Sequence, residues 1–160
     1  MERLEIFPLK ITTSQVLLTF AGCPGGDQFS RTLFSYLQQR RISVTLLVEA
    51  PVQKEQVILA LVVDEQALSM IEAELEALWP AIGVEALMIE KPVAVIRILG
   101  PHFDIRPGIA GALYAGMAKA GIKMLVNSIT GTTSLVVVHE KDLEMTQREL
   151  RAVFRTPKGK

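Results

Sequence analysis

The chain repeats itself, and that limits what it can fold into more than any single motif does. From Val62 it reads VVDEQALSMIEAELEALW, and from Val137 it reads VVHEKDLEMTQRELRAVF. At a constant offset of 75 residues Val62 and Val137, Val63 and Val138, Glu65 and Glu140, Leu68 and Leu143, Met70 and Met145, Glu74 and Glu149, Leu75 and Leu150, and Ala77 and Ala152 are identical, and Trp79 stands against Phe154. Further upstream Phe34 aligns with Tyr114 and Ile42 with Ile122 at an offset of 80, but Gly22 with Gly100 at 78, so the second copy has the longer first loop. Self-similarity of this kind describes one supersecondary unit used twice, whose function is to be read from both copies together.

Within the first copy, Gln15 to Phe20 (QVLLTF) predicts a strand that ends in the turn-rich run from Gly22 to Asp27. Phe29, Leu33, Phe34 and Leu37 then mark a helical stripe that Asp27 or Ser30 can cap. Ser43 to Val48 and Val57 to Val63 predict two further strands around a polar turn over Pro51 to Glu55. Leu68, Ile71, Leu75 and Leu78 predict one helix, capped by Asp64 and stopped by Pro80. With Val84 to Ile89 as a fourth strand, the order is βαββαβ. The second copy runs from the strand Val93 to Leu99 into a helix that Pro107 opens at its first position and Gly121 closes in the left-handed conformation. Arg41 stands where Gly121 stands, so the first helix is expected to end by another device. Strands over Lys123 to Ser128 and Ser134 to Val138, and a helix through Leu143, Gln147, Leu150 and Phe154, complete that copy except for its last strand. The tail RTPKGK cannot supply one. Leu4 to Ile11 precedes the first copy and reads as a strand, with Pro8 suited to an edge or bulge. The expectation is that residues 1–11 cross over and close the second unit (92–160), with the first unit (12–91) inserted within it, and that removing residues 1–11 unfolds the second unit.

Composition narrows the functional classes. The chain has 160 residues, 49% of them hydrophobic and 21% charged, and its 17 basic and 17 acidic side chains cancel. There is no net field to gather nucleic acid or an anionic membrane, and VAVIRIL and SLVVV lack the aromatic residues that stack bases on a sheet. No apolar run approaches the roughly 20 residues that span a bilayer, and MERLEIF lacks the order of a secretion signal, so a cytosolic protein is expected. Cys23 is the only cysteine and His102 and His139 the only histidines, which offers no disulfide, no metal site and no nucleophile–base pair; Cys23 and both histidines read as loop or turn residues. No cofactor is expected. Gln38, Gln39, Arg40 and Arg41 read as a solvated helix end.

In each copy the most polar and glycine-rich stretch joins the first strand to the first helix. A helix start offers about four unpaired amides and roughly half a positive charge, which suits a carboxylate. Gly22, Gly25 and Gly26 give close backbone access in the first copy, and Asp104 and Arg106 offer partners for an ammonium and a carboxylate in the second. Ordinary tight turns use the same residues, and spacing does not separate the two readings.

The stretch VAVIRILGPHFDIRPGIAGALYAGMAKAGIKMLVNSI resembles the second ACT domain of aspartate kinases, with its Pro-Gly-Ile-Ala loop end and AGI turn, and the first copy with VEALMIEKPVAVI resembles the preceding ACT domain and its link. The resemblance covers the whole chain and concerns the regulatory half of that family only. It implies an α+β fold of two ferredoxin-like βαββαβ units with antiparallel sheets, one inserted in the other, that dimerise through their sheets and bind a free amino acid, lysine or threonine. By position it implies ligand contacts from Gly25, Gly26, Asp27 and Gln28 in the first unit, and from Phe103, Asp104, Ile105, Arg106, Pro107, Gly108 and Ile109 with Asn127, Ser128 and Ile129 in the second. The first copy departs from the family's Asp-x-Pro-Gly pattern at Gly25 to Gln28, and Thr130-Gly131 replaces its Ser-Glu turn. The expected function is an allosteric, amino-acid-binding module with no kinase active site, acting as a regulatory subunit beside a catalytic kinase subunit; the alternative is a dimerisation module with no ligand.

Overall fold

The computed structural model describes residues 4–6, 8–25, 27–53, 56–100, 103 and 107–155. In chain order its elements are β1 (Leu4–Glu5), β2 (Lys10–Pro24), α1 (Asp27–Gln39), β3 (Val44–Gln53), β4 (Gln56–Asp64), α2 (Glu65–Ser69), α3 (Glu72–Ala81), β5 (Ala86–Leu99), α4 (Ile109–Lys119), β6 (Val126–Ile129), β7 (Thr133–His139), a 3-10 turn (Glu140–Asp142), α5 (Leu143–Val153) and β8 (Phe154–Arg155). The chain divides into two compact units, one of Ser14–Pro92 and one of Met1–Thr13 with Val93–Lys160.

In the first of these, β4 lies between β2 and β3 and pairs antiparallel with both. Side chains alternate across a strand, so Val16, Leu18 and Phe20 of β2 and Leu59, Leu61 and Val63 of β4 share one face. Phe29, Leu33 and Leu37 of α1 and Leu68, Ile71 and Leu75 of the second helical stretch close over that face as one core. Asp64 caps α2 as expected, its carboxylate accepting from the Gln66 and Ala67 amides at 3.0 and 3.1 Å. The single helix expected after it is broken in two at Met70 and Ile71. Ser69 Oγ donates to the Gln66 carbonyl at 2.7 Å and so offers that carbonyl a partner outside the helical ladder, while Ile71 turns into the core and Met70 out of it. Pro80 does not stop α3 before itself; the helix runs one residue past it to Ala81.

Arg41 corrects another expectation. Its φ of 56° matches the left-handed conformation of Gly121 at 69°. The bonds match as well: Arg41 N–H to the Gln38 carbonyl and Ile42 N–H to Leu37, against Gly121 N–H to Ala118 and Ile122 N–H to Met117. Both copies therefore close their first helix with the same turn, one of them on a residue that pays steric strain to do so.

In the second unit β7 lies between β5 and β6, antiparallel to both. Ala94, Ile96 and Ile98 of β5 and Val136 and Val138 of β7 face Ile109, Leu113 and Met117 of α4 and Leu150 of α5 in a second core. Two strands expected apart, over Val84 to Ile89 and Val93 to Leu99, are one continuous strand, β5. Pro107 does not open α4; Gly108, at φ 95°, is its N-cap. Phe154 has left the helix for β8, which pairs in parallel with β1, Leu4 with Phe154 and Glu5 with Arg155. Ile6 N–H donates to the Arg155 carbonyl at 2.8 Å, and its side chain, 2% exposed, is part of the second core.

Candidate functional site

The run after β2 in the first unit lies on a cleft. Pro24, Gly25, Gln28, Phe29 and Thr32 form one wall and Ala81, Ile82 and Gly83 the other, around a volume of about 340 Å³. The antiparallel course of α1 and α3 produces this: the start of one helix meets the end of the other. A helix start carries partial positive charge and unpaired amides, and a helix end carries partial negative charge on its carbonyls. Ile82 and Gly83 donate to the Leu78 and Pro80 carbonyls, and Gly83, at φ 82°, lets the chain turn beside Pro24, whose Cγ would lie 3.1 Å from a Cβ there. On the strand side a Cβ on Gly22 would collide with the Glu85 carboxylate, which Gln56 Nε2 holds at 2.8 Å. An α-amino acid is a carboxylate and an ammonium two bonds apart, and in this cleft a helix start faces a helix end whose Leu78, Trp79 and Pro80 carbonyls accept from Ile82, Val84 and Gly83.

Of the first-unit residues expected at a site, Gly25 and Gln28 line the cleft, Asp27 is the first residue of α1, and Gly26 lies outside the described residues. Thr32, Ile82 and Gly83 were not expected there.

In the second unit Asp104, Ile105 and Arg106 lie outside the described residues, as does His102. Phe103 is buried, stacked edge-on against Phe154 with ring centroids 5.9 Å apart, and its N–H donates to the Gly131 carbonyl at 2.6 Å. It is a core residue that ties the loop before α4 to the turn between β6 and β7. Pro107 and Gly108 are exposed, and Ile109 is buried. Asn127, Ser128 and Ile129 do not act from one side: register sets Asn127 against Val136 and Ile129 against Ser134 on the helix-facing side, and Ser128 against Leu135 on the other.

Elsewhere, Arg40 is not a solvated helix end. Its guanidinium stacks on Tyr36, 4.1 Å from the ring centroid, and binds Glu74, which also accepts from the Tyr36 hydroxyl at 2.9 Å. Arg40, then the Tyr36 hydroxyl, hold the Glu74 carboxyl below its ordinary value, and burial, then Glu74, raises the Tyr36 phenol. The triad links α1 to α3 on the surface. Cys23 is fully buried, and burial, aided by the Glu49 carboxylate, pushes its thiol up to about 11. Among the described residues no three His, Cys, Asp or Glu side chains stand together as a metal site would need, and no helix is long and apolar enough to cross a membrane.

In each unit antiparallel strands carry helices packed on one face, an α+β architecture. No protein-family model matches the chain. In sequence it is 26% identical over 141 residues to aspartokinase 2 of Bacillus subtilis (strain 168), covering 88% of this chain and 34% of that protein. The chain thus spans about a third of the length of the curated relatives it matches. In fold it is similar to the ligand-free regulatory subunit of aspartate kinase from Thermus thermophilus, with a TM-score of 0.79 at 16% identity over 94% of this chain and 99% of that one. It is similar also to a chain in the structure of aspartokinase alpha and beta subunits, with a TM-score of 0.78 at 16% identity over 92% and 97%. The chain resembles the C-terminal regulatory region of aspartate kinases.

Proposed function

We propose that this chain is a non-catalytic regulatory module of two ACT units, the first inserted in the second, that binds a free amino acid and passes its presence to a catalytic partner. The observation that carries the reading is the first-unit cleft, where the start of α1 faces the end of α3 across about 340 Å³. An amino acid seated there puts its carboxylate at the amide pole and its ammonium at the carbonyl pole, with Gln28 and Thr32 on its side chain. Pairing of two copies through their sheets makes the module a dimer. An effector shifts such a module only by its difference in affinity between two arrangements, and a bound partner responds to that shift by the same coupling energy. The likeness to regulatory subunits, and to the assembly of aspartokinase alpha and beta subunits, supports an aspartate kinase catalytic subunit as that partner.

Thermal unfolding of the full chain with each of the twenty amino acids tests the reading. An effector at about a hundred times its dissociation constant adds roughly 2.7 kcal/mol, and Gln28→Trp, which fills the cleft from an exposed helical position, abolishes that gain without lowering the unliganded melting temperature. A chain indifferent to all twenty is instead a dimerisation module without a ligand. Size analysis of the chain mixed with an aspartate kinase catalytic domain tests the partner.

A further inference from the structure

The repeat gives both units the same outward face on their last helical stretch, and the two versions carry opposite charge. Met70 and Met145 correspond at the offset of 75 residues, and they are 76% and 42% exposed. Around them Gln66 of the first unit is matched by Lys141 of the second, Ala73 by Arg148 and Glu76 by Arg151; only Ser69, matched by Glu144, runs the other way. Each of these positions is exposed in both copies. A lone exposed apolar side chain is ordinary on a surface. The same methionine kept at one outward position of both copies, while its neighbours diverge, marks a contact point, and a flexible thioether suits that use. Over α2 and α3 the exposed charged residues are Glu74 and Glu76, with no base. Arg40 answers Glu74, and Lys91 answers the half-buried Glu72, which leaves Glu65 and Glu76 to keep this face negative. From Lys141 to Arg151 the exposed charges are three bases, Lys141, Arg148 and Arg151, against Glu144. Lys141, Glu144, Met145 and Arg148 line a surface hollow of about 310 Å³, and the Arg148 side chain, 72% exposed, meets Glu149 only at 3.7 Å.

We infer that these two faces bind each other between copies of the chain: the α2 and α3 face of one copy docks on the α5 face of a second, with Met70 and Met145 at the centre and Glu76 opposed to Arg148 and Arg151. Both faces are exposed within one chain, so the complement of each is supplied by another copy. Two α5 faces do not pair, because that sets Lys141, Arg148 and Arg151 against their own kind, and juxtaposed like charges are disfavoured. The contact is therefore heterologous. Every such pair leaves one face of each kind open, and further copies add until a ring closes. The surface is the outward side of the helices, distinct from the sheets through which two copies pair, and it does not involve the cleft. One apolar side chain within a charged rim suits a weak, reversible association. Salt screens it, since the Debye length falls from about 10 Å at 0.1 M to about 3 Å at 1 M.

The test is sedimentation of the full chain over a range of protein concentrations at about 50 mM and about 500 mM salt, with no amino acid added, so that failure here leaves the sensing reading standing. At low salt a species heavier than the salt-resistant one is expected, and its apparent Kd rises at least about tenfold at high salt. Exchanging residues between the two copies supplies the decisive variants. Gln66→Lys/Ala73→Arg/Glu76→Arg gives a chain with two basic faces, and Lys141→Gln/Arg148→Ala/Arg151→Glu gives one with two acidic faces. All six changes are at exposed positions, so the melting temperature should hold within about 5 °C. Each variant alone should stay at the salt-resistant mass, and an equimolar mixture of the two should regain the heavier species. Should a triple variant misfold, Met145→Ser alone is expected to weaken the association at least about fivefold. A wild-type mass indifferent to salt and concentration, a triple variant that assembles by itself, or a mixture no heavier than its parts overturns the contact. So does a chain that stays apart from its own copies and binds through these faces only to an aspartate kinase catalytic domain.

Discussion

Ile6→Ala is the substitution whose effect follows most directly from the packing. Ile6 is 2% exposed in the second core although almost ninety residues separate it from the next segment of that unit. It sits over Gly100: a Cβ added there would lie 3.3 Å from Ile6 Cγ2 and 2.8 Å from the Phe103 ring, so the site has little freedom to collapse. The change removes three buried carbons, about 2.4 kcal/mol at roughly 0.8 kcal/mol for each. The cavity left beside Gly100 and Phe103 adds to this, giving about 3–4 kcal/mol in total, within the usual range for Ile→Ala. Urea denaturation gives the magnitude, and native-state hydrogen exchange gives the place. Amides of Ile98 and Val136 should lose protection and those of Leu18 and Leu61 should keep it. A loss below about 1 kcal/mol, or one felt first at Leu18 and Leu61, refutes the reasoning.

The remaining predictions concern the first unit and the helix ends. Arg41→Gly relieves a left-handed strain of about 1–2 kcal/mol, partly offset by the freer unfolded chain, so the melting temperature should rise by about 2 °C, whereas Gly121→Ala lowers it; a fall with Arg41→Gly would mean that the Arg41 side chain stabilises the turn. Cys23, buried and with its thiol pushed up to about 11, should resist thiol reagents in the native protein at pH 8 and react at the rate at which the first unit opens. Stoichiometric labelling of the folded chain within seconds would contradict that burial.

How much of this was legible in the sequence depends on whether the determinant was local. The apolar runs QVLLTF and VILALVV, the spacing of Phe29, Leu33 and Leu37, and the capping carboxylate of Asp64 are local signals, and the elements follow them. The break at Ile71 is not, because Ser69 competes for one carbonyl within an unbroken helical stripe. Nor is the left-handed Arg41, where identity argued for one conformation and the repeat for another. The repeat was the better guide. The continuous β5 was hidden by Pro92, which reads as punctuation. At the sites, Gly25 and Gln28 were visible as a turn before a helix, but Thr32, Ile82 and Gly83 join them only when α1 and α3 fold antiparallel.

The central claim is that the chain binds a free amino acid, and calorimetric titration of the purified protein with threonine, serine, valine and lysine tests it most directly. The account predicts saturable heat with at least one of the four, abolished by Gln28→Trp in the first-unit cleft. Flat titrations with all four at millimolar concentration would contradict it.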